Sequence, residues 1–438
     1  MIFAHEMGER KKTVAFHTLG CKLNFSESSA IGQQLEVEGF KRVDFGEKAE
    51  VSVIHTCSVT GSADRKTRQA IKKAIKASPD GFIVAMGCYA QLRPLEMAAL
   101  EGVDLILGTK EKFDLPKYLN KSLKKGITEI HSCGLDDLYS FSPAYSSGER
   151  TRAFLKVQDG CNYSCTYCTI PQARGKSRNP DIKLLTQQAE NIASQGIREI
   201  VLTGVNIGDF GRSTENSFTD LIRALNALDL PARFRISSIE PNLLTDEIID
   251  ITAQSKRIVP HFHIPLQSGS DIILISMQRR YLRATFEDRV KKVKSILPNA
   301  CIGADVIVGF PGESEIEFNE TYDFIDGLDV SYLHVFTYSE RPGTPAASMK
   351  PNVPNRIRDE RSKKLHELSE KKKARFYKSQ EGTIRTVIFE RETQTETMTG
   401  FTENYVEVGV PLVKEYLHME KQVLLTHYID GKMFGEIL

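Results

Sequence analysis

No stretch of this 438-residue chain approaches the roughly 18 consecutive apolar residues that a membrane-crossing helix needs. The opening, "MIFAHEMGERKK", has no apolar run of secretion-signal length. There is no low-complexity tract and no excess of proline or glycine. Charge of one sign is lacking too, since 58 Lys and Arg face 57 Asp and Glu. These absences argue against a helical membrane protein and a disordered or fibrous chain. They also mean that any anionic partner must be met by local patches rather than by net charge. The expected compartment is the reducing cytoplasm, where the eight cysteines are ligands or core residues rather than disulfides. The length allows two or three domains.

What is present falls into segments. Over 12–120, "KTVAFHTLGC", "AEVSVIHTC" and "FIVAMGC" read as strands ending at Cys21, Cys57 and Cys88. "ESSAIGQQLEVEGF" and "ADRKTRQAIKKAIKAS" read as helices between them. That alternation predicts a parallel α/β domain, whose ligands gather beyond the carboxyl ends of its strands. Residues 121–150 read as a linker, with "YSFSPAYSSGER" rich in Ser, Gly and aromatics. Over 151–378, six β-branched runs alternate with helical segments: "AFLKVQ", "REIVLTGVN", "RFRISSIE", "HFHIPLQ", "CIGADVIVGF" and "YLHVFTYS". They predict a partial (βα)6 barrel. Its last helix, over 356–378, carries ten Lys and Arg against four acids. Residues 379–438 alternate at period two with turns between, predicting a small antiparallel β-barrel.

Cysteine spacing carries the chemistry. Cys161, Cys165 and Cys168 lie just after the first barrel strand, at the mouth where barrel enzymes work. A closed structural zinc site wants four ligands, and no fourth Cys or His stands close in sequence. Three thiolates suit an iron–sulfur cubane with one open iron. A zinc knuckle completed by a remote residue is the alternative. Cys21, Cys57 and Cys88 also number three, and strand ends can bring them to one sheet edge. Buried core thiols are the alternative there. Cys133 and Cys301 read as non-ligands, and His261 and His263 as hydrogen-bonded barrel histidines.

The run Cys161–Cys168, with Tyr167 before the last cysteine, resembles the signature of the radical S-adenosylmethionine superfamily. The resemblance implies a [4Fe-4S] cluster whose open iron holds S-adenosylmethionine and cleaves it to a 5′-deoxyadenosyl radical. It also implies cofactor contacts at Thr203 and Gly204 in "LTGVN", and at Ser238 and Glu240 in "SSIEP". Further contacts would come from Gln267 in "PLQSGS" and from Val308 and Gly309 in "VGFPGE". The stretches around Cys21, Cys57 and Cys88, together with "RAFLKVQDGCNYSCTYCTIPQARGKSRN", are similar to methylthiotransferases. The tail resembles their TRAM domain, mainly through "TGFTENYVEV". This implies a second [4Fe-4S] cluster on Cys21, Cys57 and Cys88, and two S-adenosylmethionines per turnover.

Lys22 and Asn24 after Cys21, and Ser58-Val59-Thr60 after Cys57, look like the branch acting on threonylcarbamoyladenosine in tRNA. The isopentenyladenosine branch has Gln-Met-Asn after its first cysteine. His55 stands where the family usually has Asn. The implied partners are a tRNA anticodon stem-loop, a flavodoxin- or ferredoxin-like reductant and a sulfur donor, with the enzyme a monomer and no membrane involved. Arg65, Lys66, Arg68, Lys72, Lys73 and Lys76, then Arg174, Lys176 and Arg178, and the 356–378 helix are candidate RNA contacts. The rival readings are methylthiolation of isopentenyladenosine or of a ribosomal-protein aspartate, and a non-catalytic iron–sulfur RNA-binding protein. No residue stands out as a general base.

Overall fold

The computed structural model describes residues 12–58, 61–121, 126–146, 151–212, 214–393 and 396–438. Val59, Thr60 and parts of the expected linker lie outside them. Among the described residues no helix is long and apolar enough to cross a membrane. The chain forms two compact units. The first is Met1–Ser146 with Gln172–Gly175, and the second is Ser147–Pro171 with Lys176–Leu438.

The first unit is a six-stranded, wholly parallel sheet. In chain order its strands are β1 (Thr13–Thr18), β2 (Lys41–Val43), β3 (Val51–Thr56), β4 (Phe82–Gly87), β5 (Leu105–Leu107) and β6 (Glu129–His131). The spatial order is β2-β1-β3-β4-β5-β6. Every side chain of β3 and β4 is buried, as expected of central strands covered on both faces. β1, β3 and β4 are neighbours, so Cys21, Cys57 and Cys88 follow three adjacent carboxyl ends. The sequence reading found these three strands and missed β2, β5 and β6. Each missed strand is only three residues long, too short to show a period. β6 also corrects the expected linker, because Glu129–His131 pairs with β5 inside this unit.

The second unit opens with six parallel strands: β7 (Arg152–Lys156), β8 (Glu199–Thr203), β9 (Arg233–Ile236), β10 (His261–His263), β11 (Cys301–Val308) and β12 (Tyr332–Thr337). They form two three-stranded sheets, β7-β8-β9 and β10-β11-β12. Single bridges at Phe234↔Ile258 and Ser238↔His263 link one to the next. This is the six-strand partial barrel that the apolar runs predict.

The tail forms a closed barrel of β13 (Ile384–Glu392), β14 (Thr397–Thr402), β15 (Glu407–Pro411), β16 (Glu420–Ile429) and β17 (Lys432–Ile437), ordered β13-β14-β15-β17-β16. An all-antiparallel barrel was expected, but β15 and β17 pair in parallel. Parity requires it. Directions cannot alternate around a closed ring of five strands, so one neighbouring pair must run the same way. The period-two apolar face fills the interior with Val387, Phe389, Met398, Val408, Val423, Leu425 and Met433.

A buried ionic cluster joins this barrel to the (βα) strands. Glu199 on β8 meets Arg233 and Arg235 on β9, each within 2.7 Å. Those guanidiniums then cap carbonyls of the small barrel: Arg233 donates to Thr386 and Phe401, and Arg235 to Glu403 and Thr402. Burial alone would push the Glu199 carboxyl up, but Arg235 and Arg233 overbalance it and hold it far below its ordinary 4.5. Its stabilising effect is therefore present above about pH 4.5 and is lost as pH falls. Replacing Glu199 by Ala leaves two buried guanidiniums without counter-charge, at a cost of about 3–5 kcal/mol. Denaturant unfolding followed by far-UV circular dichroism should show that loss at pH 7. The gap between wild type and Glu199→Gln should narrow as pH is lowered below about 4.5.

Candidate active site

In the second unit the candidate residues lie along consecutive carboxyl ends of parallel strands. Cys161, Cys165 and Cys168 occupy the loop after β7. The Tyr163 amide donates to Cys161 Sγ at 3.4 Å and the Ile170 amide to Cys168 Sγ at 3.5 Å. Arg279 Nη1 donates to Cys165 Sγ at 3.1 Å. Burial pushes the Cys161 thiol up to about 11 and the Cys168 thiol to about 12. Thiolates here need a cation as counter-charge. Sulfurs that already receive N–H and guanidinium donors suit metal-bound thiolates, so this loop fits a three-thiolate centre.

Thr203 closes β8, and its carbonyl accepts the Val157 amide at 2.9 Å. A Cβ on Gly204 would lie 2.9 Å from both the carbonyl and the Oε1 of Gln158. That same Oε1 accepts the Val205 and Asn206 amides, so Gln158 shapes the small-residue loop. Ser238 lies just beyond β9 and Glu240 two residues further. Glu240 pairs with Arg279, although burial still raises its carboxyl above the ordinary value. Gln267 lies four residues beyond β10 in the left-handed region, at φ 66°. It donates from its amide to the Asp305 carbonyl at 2.8 Å and accepts from the Ile307 amide at 2.9 Å. Val308 ends β11, and its carbonyl accepts the Tyr338 amide. The Gly309 amide donates to Glu313 Oε1 at 2.9 Å. That carbonyl and that amide are thus engaged internally. Tyr167 meets Arg279 at 3.3 Å and packs edge-on to Phe310.

Arg279 is the residue that sequence reading missed. It touches Cys165, Tyr167, Glu240 and Tyr281 at once. The only signal was the pair Arg279-Arg280 between two helices. Arg280 instead lies over the Tyr163 ring and donates to the Asn162 carbonyl at 2.6 Å.

In the first unit, Cys21 caps the helix Lys22–Val37, Cys57 follows β3 and Cys88 opens the helix Cys88–Leu92. Cys57 and Cys88 are buried, and Cys21 is exposed as a residue although burial pushes its thiol above the ordinary value. Cys21 lies within electrostatic reach of Cys88. Gly20 leans on Cys57: at φ 98°, a Cβ there would fall 2.9 Å from Cys57 Sγ. Three sulfurs at one edge with a glycine pressed against one of them leave a cradle that fits a second three-thiolate centre.

Beneath it is a charge cluster that the sequence did not reveal. Glu27, wholly buried, meets Lys112 and accepts a two-pronged contact from Arg174 at 3.0 Å on each oxygen. Arg174 also donates to Asn24 Oδ1 at 2.7 Å, and Asn24 Nδ2 ties the Leu19 and Thr56 carbonyls. His55 joins through Ser28 at 2.8 Å and stands 3.7 Å from Glu27.

The RNA-facing candidates divide. Arg65, Lys66, Arg68, Lys72, Lys73 and Lys76 are exposed on one face of the helix Gly61–Ala77, whose other face buries Ala70, Ile71 and Ala74. Lys22 is exposed as well. Arg174 and Arg178 are not surface groups; Arg178 is buried against Asp159. In the helix Asn355–Lys378, Arg358, Arg361 and Lys372 are buried on Glu340, Glu313 and the Asp326 and Leu328 carbonyls. A guanidinium or ammonium moved out of water must find such partners, so clustered basic letters overstate the surface charge.

Comparison with known proteins adds the following. Residues 13–108 match the family model described as "Uncharacterized protein family UPF0004", and residues 155–325 match the Radical SAM superfamily. The threonylcarbamoyladenosine tRNA methylthiotransferase MtaB of Bacillus subtilis is 42% identical over 90% of both chains. Its namesake from Aquifex aeolicus is 38% identical over 90% of this chain and 96% of its own. A tRNA-2-methylthio-N(6)-dimethylallyladenosine synthase from Clostridium tetani is 30% identical over 99% and 98%. Among solved structures, the radical S-adenosylmethionine methyltransferase TsrM of Kitasatospora setae aligns with TM-score 0.54 at 13% identity, over 77% of each chain.

Arg174→Ala should leave Glu27 with one ammonium in place of two cations, costing about 3 kcal/mol. Arg174→Lys should not restore it, because one ammonium cannot meet both Glu27 oxygens and Asn24 together. Thermal unfolding of the two variants beside wild type measures both effects.

Proposed function

Because the chain belongs to the radical S-adenosylmethionine methylthiotransferase family, we propose that it converts N6-threonylcarbamoyladenosine beside the tRNA anticodon to its 2-methylthio derivative. The observation that carries this reading is similarity along nearly the whole chain to relatives bearing that activity in their names. The target C2–H is not acidic, so no side-chain base can open it. Among the candidate cofactor residues Glu240 is the one carboxylate, and it is paired with Arg279. Two [4Fe-4S] clusters and S-adenosylmethionine, when bound, supply one-electron bond cleavage, the sulfur and the methyl group.

The chain's own groups hold and orient. Cys161, Cys165 and Cys168 ligate the first cluster, with Arg279 directed at Cys165 Sγ. Thr203 and Gly204 receive the methionine end of the cofactor, Ser238 and Glu240 its ribose, and Tyr167, Gln267, Val308 and Gly309 complete the enclosure. Cys21, Cys57 and Cys88 ligate the auxiliary cluster. A threonylcarbamoyl group carries a carboxylate, whose burial requires cationic partners. Exposed Lys22 and Arg65 are the candidates on the first unit. The 379–438 barrel acts as a TRAM-like RNA-binding module, and the exposed face of the helix Gly61–Ala77 meets phosphates. A single-stranded anticodon loop can splay the target base into a pocket. The enzyme works as a cytoplasmic monomer with a flavodoxin- or ferredoxin-like reductant and a separate sulfur donor.

Reconstituted protein should carry about eight irons per chain, two cubanes of four. Changing Cys161, Cys165 and Cys168 to Ala should leave about four; unchanged iron would reject the ligand set. Changing Cys21, Cys57 and Cys88 should leave reductive cleavage of S-adenosylmethionine, read as 5′-deoxyadenosine, while abolishing the methylthio product.

Substrate is decided by incubating holoenzyme with tRNA bearing either threonylcarbamoyl- or isopentenyladenosine, followed by nucleoside mass spectrometry. Product from the threonylcarbamoyl substrate is expected. Product from the isopentenyl substrate alone, or only from the ribosomal protein, would overturn the substrate and leave the cluster chemistry standing.

A further inference from the structure

Three neighbouring strands of the second unit place metal-ligating side chains together, none of them a cysteine. His263 ends β10, Asp305 lies in β11 and His334 lies in β12. The register explains why they meet. Asp305 pairs with His334 across β11 and β12, and His263 pairs with Gly303, two residues before Asp305 and therefore on the same face. His263 Nε2 stands 2.9 Å from Asp305 Oδ1, and His334 Nδ1 3.3 Å from the same oxygen. One ligand atom from each of the three lies within 4.8 Å of the others. The imidazole rings are nearly perpendicular, at 73° with centroids 5.0 Å apart.

The surroundings suit a bound cation. Gly303 has no side chain to intrude, and a Cβ there would strike the Tyr332 ring at 2.2 Å. Tyr332 therefore lies across the strand beside the triad, 6.4 Å from His263 and 5.2 Å from His334 between ring centroids. His263 and Asp305 are largely covered, whereas the His334 side chain is 52% exposed. One side is thus walled and the other open.

We propose that His263, Asp305 and His334 form a mononuclear site for a divalent transition-metal ion of the zinc class, distinct from both cysteine sets. Two imidazoles and one carboxylate are borderline donors that favour such ions over magnesium or calcium, which prefer oxygen ligands. Ligands about 2.0–2.2 Å from a tetrahedral ion lie about 3.3–3.6 Å apart; the contacts through Asp305, at 2.9 and 3.3 Å, need only a small opening to reach that spacing. Three protein ligands leave a position open for water or an anionic oxygen.

The test uses anaerobically reconstituted holoprotein, in which the cysteines already carry iron. Equilibrium dialysis against zinc, followed by metal analysis, should find one zinc per chain beyond the iron, at micromolar Kd or tighter. His334→Gln and Asp305→Asn should each weaken binding by about tenfold or more, with iron content and far-UV circular dichroism unchanged. Failure of wild-type holoprotein to take up zinc would overturn the proposal, leaving a hydrogen-bonded His–Asp–His network. Equal affinity in the His334→Gln protein would overturn it as well. Should Asp305→Asn disturb the fold, the exposed His334 and the wild-type stoichiometry still decide.

Discussion

A carboxylate taken out of water must have a cation beside it, and this requirement organises both units. Glu27 anchors the loops around Cys21 and Cys57 through Lys112, Arg174 and Asn24. Glu199 gathers Arg233 and Arg235, which then dock the small barrel on the (βα) strands. Glu240 holds Arg279 against Cys165. Glu313 fastens the Gly309 turn to Arg361 of the long helix. In each case one buried acid and a forked guanidinium set the position of a loop or a module. Arginine suits the task because its planar fork reaches a carboxylate and a carbonyl together.

The strands were legible where a longer β-branched or apolar run surrounded them. All six (βα) strands and β1, β3 and β4 of the first sheet lie in such runs. β10 is as short as β2, β5 and β6, three residues each, and was found through the longer run "HFHIPLQ" that contains it. The cysteines were legible because their spacing after strands is a chemical signature as much as a structural one. The partners of those cysteines were not. Asn24, Glu27, Lys112 and Arg174 are distant in sequence, and only the folded chain brings them together. Arg279 likewise reads as one basic residue among many.

The reading of charge failed for a related reason. Nothing in one-letter code separates a lysine that faces water from one that caps buried carbonyls, as Lys372 does. The helix Gly61–Ala77 was the safer inference because its apolar residues fall on one face, so its cations must fall on the other. The long helix Asn355–Lys378 has basic residues on all sides, and several are internal. Parity, by contrast, could have been applied beforehand, since counting five strands in a closed barrel already requires one parallel neighbour.

The first unit is not continuous in sequence. Its last four residues, Gln172–Gly175, are encoded after the Cys161–Cys168 loop, and among them is the guanidinium that meets Glu27. Any rearrangement of the gene that exchanged or truncated the leading segment near residue 147 would separate Glu27 from Arg174. A module cut there would keep its parallel sheet and its three cysteines, yet retain only Lys112 of the two cations that meet Glu27.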